Sequence, residues 1–219
     1  MSSTDASFSS RSAIRLCLRA LVVWVCASAA MLPAQRALAE AVLPYFDFVS
    51  RLLQSGFVAS LHIVEIKGQW MVEATPLLLQ AVPLGDQAAL RQFIELPPFL
   101  VEVNHALGPP VLLIAASTAW PSSGWRELLL RLLLDVAALP LLLALTTPLL
   151  MVGQVQMWIL ELAAQHGARL HEPAPVTAMI FMECGGRWLL PLGLAVVAVA
   201  MSQRLCFRQS AGLPLQCQT

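Results

Sequence analysis

Glu183 and Arg187 stand four residues apart in a largely apolar stretch, with Cys184 between them. On a helix, an acid placed four residues before a base pairs in the better of the two orientations. A guanidinium one turn from Cys184 would also favour the thiolate, the form in which cysteine acts as a nucleophile. The base for such a nucleophile would come from His171 or His166 in the preceding connection, or from His105, because no histidine follows residue 171. The plainer expectation is a small residue packing helices beside Gly185 and Gly186. Arg131 and Asp135 repeat the four-residue spacing in reversed order. Ionisable side chains within a membrane cost about 2.5–3.5 kcal/mol each and are functional candidates for that reason. In both pairs the neighbour one turn away would offset much of that cost. A third group, Glu102, Asn104 and His105, puts acid and imidazole three residues apart on one helical face. It is suited to passing a proton or orienting a polar ligand, or else to capping an interfacial loop.

The familiar enzyme signatures are absent. Five cysteines and four histidines are scattered without zinc or haem spacing, and there is no HExxH, GxSxG, phosphate-loop or dinucleotide glycine pattern. No metal and no cofactor is expected. Thirteen basic residues balance thirteen acidic ones, so there is no electrostatic footprint for nucleic acid.

These side chains must be held by apolar elements. Hydrophobic residues make up 58% of the 219-residue chain and charged residues 12%, about half the charge of a soluble domain. The lipid bilayer is therefore the first partner. A basic tail over 1–12, with Arg11, precedes a first span over 13–39 that begins with Arg15 and Arg19. Its end, Ala37-Leu38-Ala39, also fits the cleavage site of a signal peptide. The region 98–202 reads as three further membrane helices. The first runs from about Pro97 through Val111–Ala116. The second starts at Leu128 and includes 25 uncharged positions, 136–160, kinked but not ended by Pro140 and Pro148. The third is 176–201. Trp120, Trp125, Trp158 and Trp188 suit the membrane interface or bundle packing.

Residues 40–97 form an external cap. Val42, Phe46, Val49 and Leu53 give a helical apolar stripe, so 41–54 is predicted to be an amphipathic helix on the outer leaflet or an extension of the first span. Alternation on either side of Lys67-Gly68 predicts a β-hairpin with strands over 60–66 and 69–75. Basic residues sit in the short pieces on one side (Arg11, Arg15, Arg19, Arg126, Arg131, Arg204, Arg208), whereas the cap carries Glu40, Asp47, Glu65, Glu73, Asp86 and Glu95 against Arg51, Lys67 and Arg91. Both termini, including the 203–219 tail with thiols Cys206 and Cys217, are thus expected in the cytoplasm. The expected fold class is an all-α integral membrane protein, with about four transmembrane helices under a helix and hairpin cap.

The order of these parts resembles a known family. Ile66-Lys67-Gly68-Gln69-Trp70-Met71-Val72 in the hairpin, Pro98-Phe99-Leu100 then Leu107-Gly108-Pro109-Pro110, Trp125-Arg126-Glu127-Leu128-Leu129-Leu130, and Gly186-Arg187-Trp188-Leu189-Leu190-Pro191 occur in one sequence. They are similar to the exosortase-H-associated membrane proteins over most of 15–202. Two stretches depart from that pattern, Val101–Ala106 and Glu183-Cys184-Gly185. The resemblance implies a non-catalytic accessory protein of the bacterial inner membrane, with an exosortase or another membrane protein as partner and no active site to carry over. Cys184-Gly185-Gly186 resembles the exosortase nucleophile motif itself, but the histidine that follows it in those enzymes is missing. A Cys184-dependent protease or transpeptidase and a small transporter component are the alternative readings.

Overall fold

Three stretches are long and apolar enough to cross a membrane, 14–53, 125–165 and 174–206, and all three are interrupted. The computed structural model describes residues 10–53, 56–83, 89–90, 93–167 and 170–211. Asp86, Arg91, Arg169 and the tail beyond 211 with Cys217 lie outside the described residues. Helix α1 (Ser10–Met31) passes through a 3-10 turn at Leu32–Ala34, with Pro33 in it, into α2 (Gln35–Leu53). Helix α3 (Val103–Ala119) has 17 residues. Helix α4 (Trp125–Leu145) stops at Thr146, whose φ −92° and ψ −102° lie outside the helical region, and α5 (Thr147–Gln165) restarts at once. Helix α6 (Ala174–Phe181) runs through a π turn, Met182–Gly186, into α7 (Arg187–Ala211). Gly185 in that turn has φ +119°, a conformation that a side chain would strain.

The second and third interruptions meet, where Val101, His105, Thr146, Thr147, Met182, Glu183 and Arg187 line a common cleft. Below it, α1 packs on α3, α3 on α4 and α7, and α4 on α7. Leu113, Leu142 and Ala195 form the core of this lower tier. Its outer surface is apolar, with Leu18, Val22 and Val25 on α1, Leu129, Leu133 and Val136 on α4, and Leu192, Val196 and Met201 on α7 exposed. Exposed Trp125 and half-exposed Trp188 sit at the two rims of this belt, the level that indole prefers. The 21 residues of α4 rise about 31 Å, which matches about 30 Å of hydrocarbon.

Above the break, α2, α5 and α6 form a second tier with a sheet. Strands β1 (Phe57–Ile66) and β2 (Gln69–Leu78) pair antiparallel through a Lys67-Gly68 turn, both residues at positive φ. That is the twist a two-residue hairpin needs. A short β3 (Val82–Pro83) and β4 (Ala89–Leu90) pair with each other, and β5 (Phe99–Glu102) adds to β2. The register sets Phe57 opposite Leu78, Leu61 opposite Ala74 and Ile63 opposite Val72. Phe57, Ala59, Ala74 and Leu78 face inward onto Met151, Val152, Val155 and Ala163 of α5. Ala39, Val72, Val103 and Leu107 weld α2, the sheet and α3 together.

Several sequence expectations are corrected here. The 136–160 run is not one kinked helix. Pro140 is accommodated inside α4, but Pro148 lies in the first turn of α5, where its missing N–H has no helical bond to make. A single helix over 125–165 would rise about 60 Å, twice the hydrocarbon thickness. Its second half instead covers the sheet. Within 98–202 a strand, β5, and two helices, α5 and α6, pack with or beside the sheet, besides the helices α3, α4 and α7. The cap is not confined to 40–97, and its sheet has three strands where a hairpin was expected. The helix over 41–54 extends the first span, and Ala37–Ala39 lie inside α2 with Ala39 buried. The helix expected from Pro97 begins at Val103, because 99–102 pair with β2.

Candidate functional site

The cleft at the tier boundary brings together Glu183 and Arg187 of the first polar group and His105 of the third. Glu183 sits in the π turn and Arg187 opens α7. Their side chains approach to 3.6 Å, Glu183 half-exposed and Arg187 mostly covered. Two guanidinium nitrogens, Nε and Nη1, are buried without a hydrogen-bond partner, and Arg187 also stacks on the Trp188 ring at 5.6 Å. Across the cleft, His105 Nε2 lies 3.7 Å from Glu102 Oε2, and Asn104 Oδ1 accepts a hydrogen bond from Gln35 Nε2 at 2.6 Å. Thr146 donates to the Leu143 carbonyl, whereas the hydroxyl of Thr147, 1% exposed, is buried without a partner. The cleft holds about 10 Å³, room for about one water. Helices α3, α5 and α7 begin here and α4 and α6 end here, so N–H ends and carbonyl ends of helices meet beside Arg187 and His105. Cys184, between Glu183 and Arg187 in the chain, is exposed and is not among the residues lining the cleft.

The second polar group is built differently. Arg131 is fully buried in the lower tier. It pairs with Glu127 one turn back, not with Asp135 as the spacing alone suggested. Glu127 in turn accepts from the Ser123 backbone N–H at 2.8 Å and its hydroxyl at 2.7 Å. The guanidinium donates to the carbonyls of Ser117 (3.2 Å), Trp120 (2.8 Å) and Pro121 (2.8 Å), which end α3, and to Ser202 Oγ of α7 at 3.3 Å. One side chain thus ties three helices and satisfies carbonyls that α3 leaves without intrahelical partners. Acid-first order decides the pairing. Glu127 starts α4, where its charge meets the positive end of the helix, and from there it reaches Arg131 directly.

Asp135 is left apart, 1% exposed, with neither carboxylate oxygen hydrogen-bonded. Its polar neighbours are the Ser117 hydroxyl and Arg131. His166 closes the end of α5, its ring nitrogen against the Leu162 carbonyl, and His171 is exposed in the connection that follows. Among the described residues no group of three His, Cys, Asp or Glu side chains is placed to hold a metal ion.

Sequence reasoning missed Gln35, Thr147, Glu127 and Ser202. Glu127 was within its reach, because Glu127 and Arg131 obey the same spacing rule that singled out Glu183 and Arg187. Gln35, Thr147 and Ser202 carry no local signal, since only the packing of distant helices brings them in. No protein family, no curated protein and no solved structure matches the chain.

Proposed function

We propose that this protein is a non-catalytic accessory membrane protein of the bacterial inner membrane. In this proposal α1, α3, α4 and α7 cross the bilayer, the upper tier faces the periplasm and both termini are cytoplasmic. Arg15, Arg19, Arg126 and Arg204 all lie on the face opposite the sheet, as the excess of basic residues on cytoplasmic faces requires. The upper tier docks a second membrane protein, and the sequence resemblance makes that partner an exosortase.

What supports docking most is α2. Its buried stripe (Ala39, Phe46, Val49) packs inward, yet Phe48 is 63% and Leu52 74% exposed on the other side. With Ala37, Ala41 and Pro44 they form an apolar line at helical spacing, flanked by the Arg36–Glu40 and Arg51–Asp47 ion pairs. Such a line suits a partner helix. Non-catalytic action is supported by Cys184, whose thiol lies outside the cleft that holds Arg187 and His105. A photoreactive residue at Phe48 is expected to cross-link to a membrane protein in cells, and Cys184→Ala to leave processing of sorted proteins intact. Cross-linking to lipid alone would overturn docking. Loss of processing in Cys184→Ala would turn the assignment to a cysteine enzyme.

One observation favours a transporter component as the second reading. Transporters hold substrates and ions where helices break and their ends face a cleft, as α4–α5 and α6–α7 break beside this one. Flux into vesicles that is sensitive to Thr147→Val would support it.

A further inference from the structure

A groove of about 450 Å³ opens between α1 and the end of α3, at the rim of the lower tier opposite the sheet. Leu18, Arg19 and Val22 line one wall, Ala119, Pro121 and Ser122 the other. Leu18 and Val22 are 60% and 54% exposed. Arg19 is exposed and has no ion-pair partner among the described residues. The exposed charges on this rim are all basic, namely Arg15, Arg19, Arg126 and Arg204. Its one described carboxylate, Glu127, is buried and already bound to Arg131 and Ser123.

The far wall would ordinarily repel an anion, since the carbonyl end of a helix carries partial negative charge. Here Arg131 occupies the carbonyls of Ser117, Trp120 and Pro121 from behind, which removes that repulsion. The groove is therefore polar and cationic at its mouth and apolar towards Val22 and Val23. A glycerophospholipid has the same two-part chemistry.

We infer that the groove seats one anionic phospholipid of the surrounding leaflet. The phosphate rests on the Arg19 guanidinium and the Ser122 hydroxyl, and an acyl chain follows Val22 and Val23 along the α1–α3 seam. A net-negative headgroup is selected because a zwitterionic one would bring its ammonium to a rim of uncompensated arginines. This rests on the membrane placement of the lower tier, but on neither an exosortase partner nor the transporter alternative.

The test is native mass spectrometry of the full chain in detergent with an equimolar mixture of phosphatidylglycerol and phosphatidylcholine. The unaltered protein is expected to retain one phosphatidylglycerol in preference. Arg19→Gln should weaken that preference about fivefold, the effect of one basic residue near an anionic lipid surface. Val22→Trp, which fills the groove from an exposed position, should reduce retention of both lipids. The inference is overturned if the unaltered protein shows no preference, if Arg19→Gln keeps it, or if Arg126→Gln on the same rim lowers it equally. Recovery of every variant in the membrane fraction separates these outcomes from a failure of the membrane placement, which would remove the unaltered protein from that fraction as well.

Discussion

Glu127–Arg131 and Glu183–Arg187 have the same spacing and the same acid-first order, and they do different work. In the lower tier every Arg131 nitrogen has a partner and the side chain is sealed between α3, α4 and α7. At the tier boundary Arg187 keeps two nitrogens without hydrogen bonds beside a half-exposed acid and an unpartnered Thr147 hydroxyl. A buried ion pair is tolerated only where its remaining donors are satisfied, so the first arrangement is committed to structure. The second retains binding capacity. Local spacing creates the pair, and what the neighbouring helices offer decides its role.

Breaking each site should separate the two. Arg131→Ala strands Glu127 in the bundle and frees the end of α3, so a loss of about 3–5 kcal/mol is expected in the unfolding midpoint measured in detergent. An unchanged midpoint would remove Arg131 from its structural role. Gly185→Ala forces a side chain into φ +119° and should cost about 1–3 kcal/mol. That loss should come with faster proteolysis at 182–186, because the strain falls where α6 passes into α7. Arg187→Gln should change stability least, by under about 1 kcal/mol, the usual worth of a partly exposed pair. A drop comparable to that of Arg131→Ala would erase the contrast.

The sequence was informative where physics is local. Alternation about Lys67-Gly68 located the hairpin, because inward and outward residues must alternate when one face is buried. The long apolar runs located the membrane-competent helices, and the i, i+4 rule anticipated Glu183–Arg187. What escaped was tertiary. An apolar helix that covers a sheet and one that faces lipid have the same composition, so α5 could not be told from the end of a membrane span. The fourth strand residue to pair, Glu102, and its neighbours Phe99–Val101 look like a helix entry until β2 lies beside them. Arg131 had acids one turn away on both sides, and the acid-first order that favours Glu127 is reinforced by Ser123 and the end of α3, which only the fold brings in. The break at Thr146 has a sequence correlate in Pro148, whose two possible effects, a kink within a helix or the start of a new one, differ only once the overall length is weighed against the bilayer.

The order of synthesis gives the α5 cover a further consequence. Strands β1, β2 and β5 leave the ribosome well before residues 147–165, with two helices of the bundle made in between. Until then Phe57, Ala59, Ala74 and Leu78 have no Met151, Val152 or Val155 to lie against, and a sheet this small is barely stable alone. The nascent protein must carry an open greasy sheet while α3 and α4 are made. That interval is when a chaperone, or an early-arriving partner, has most to gain by holding it.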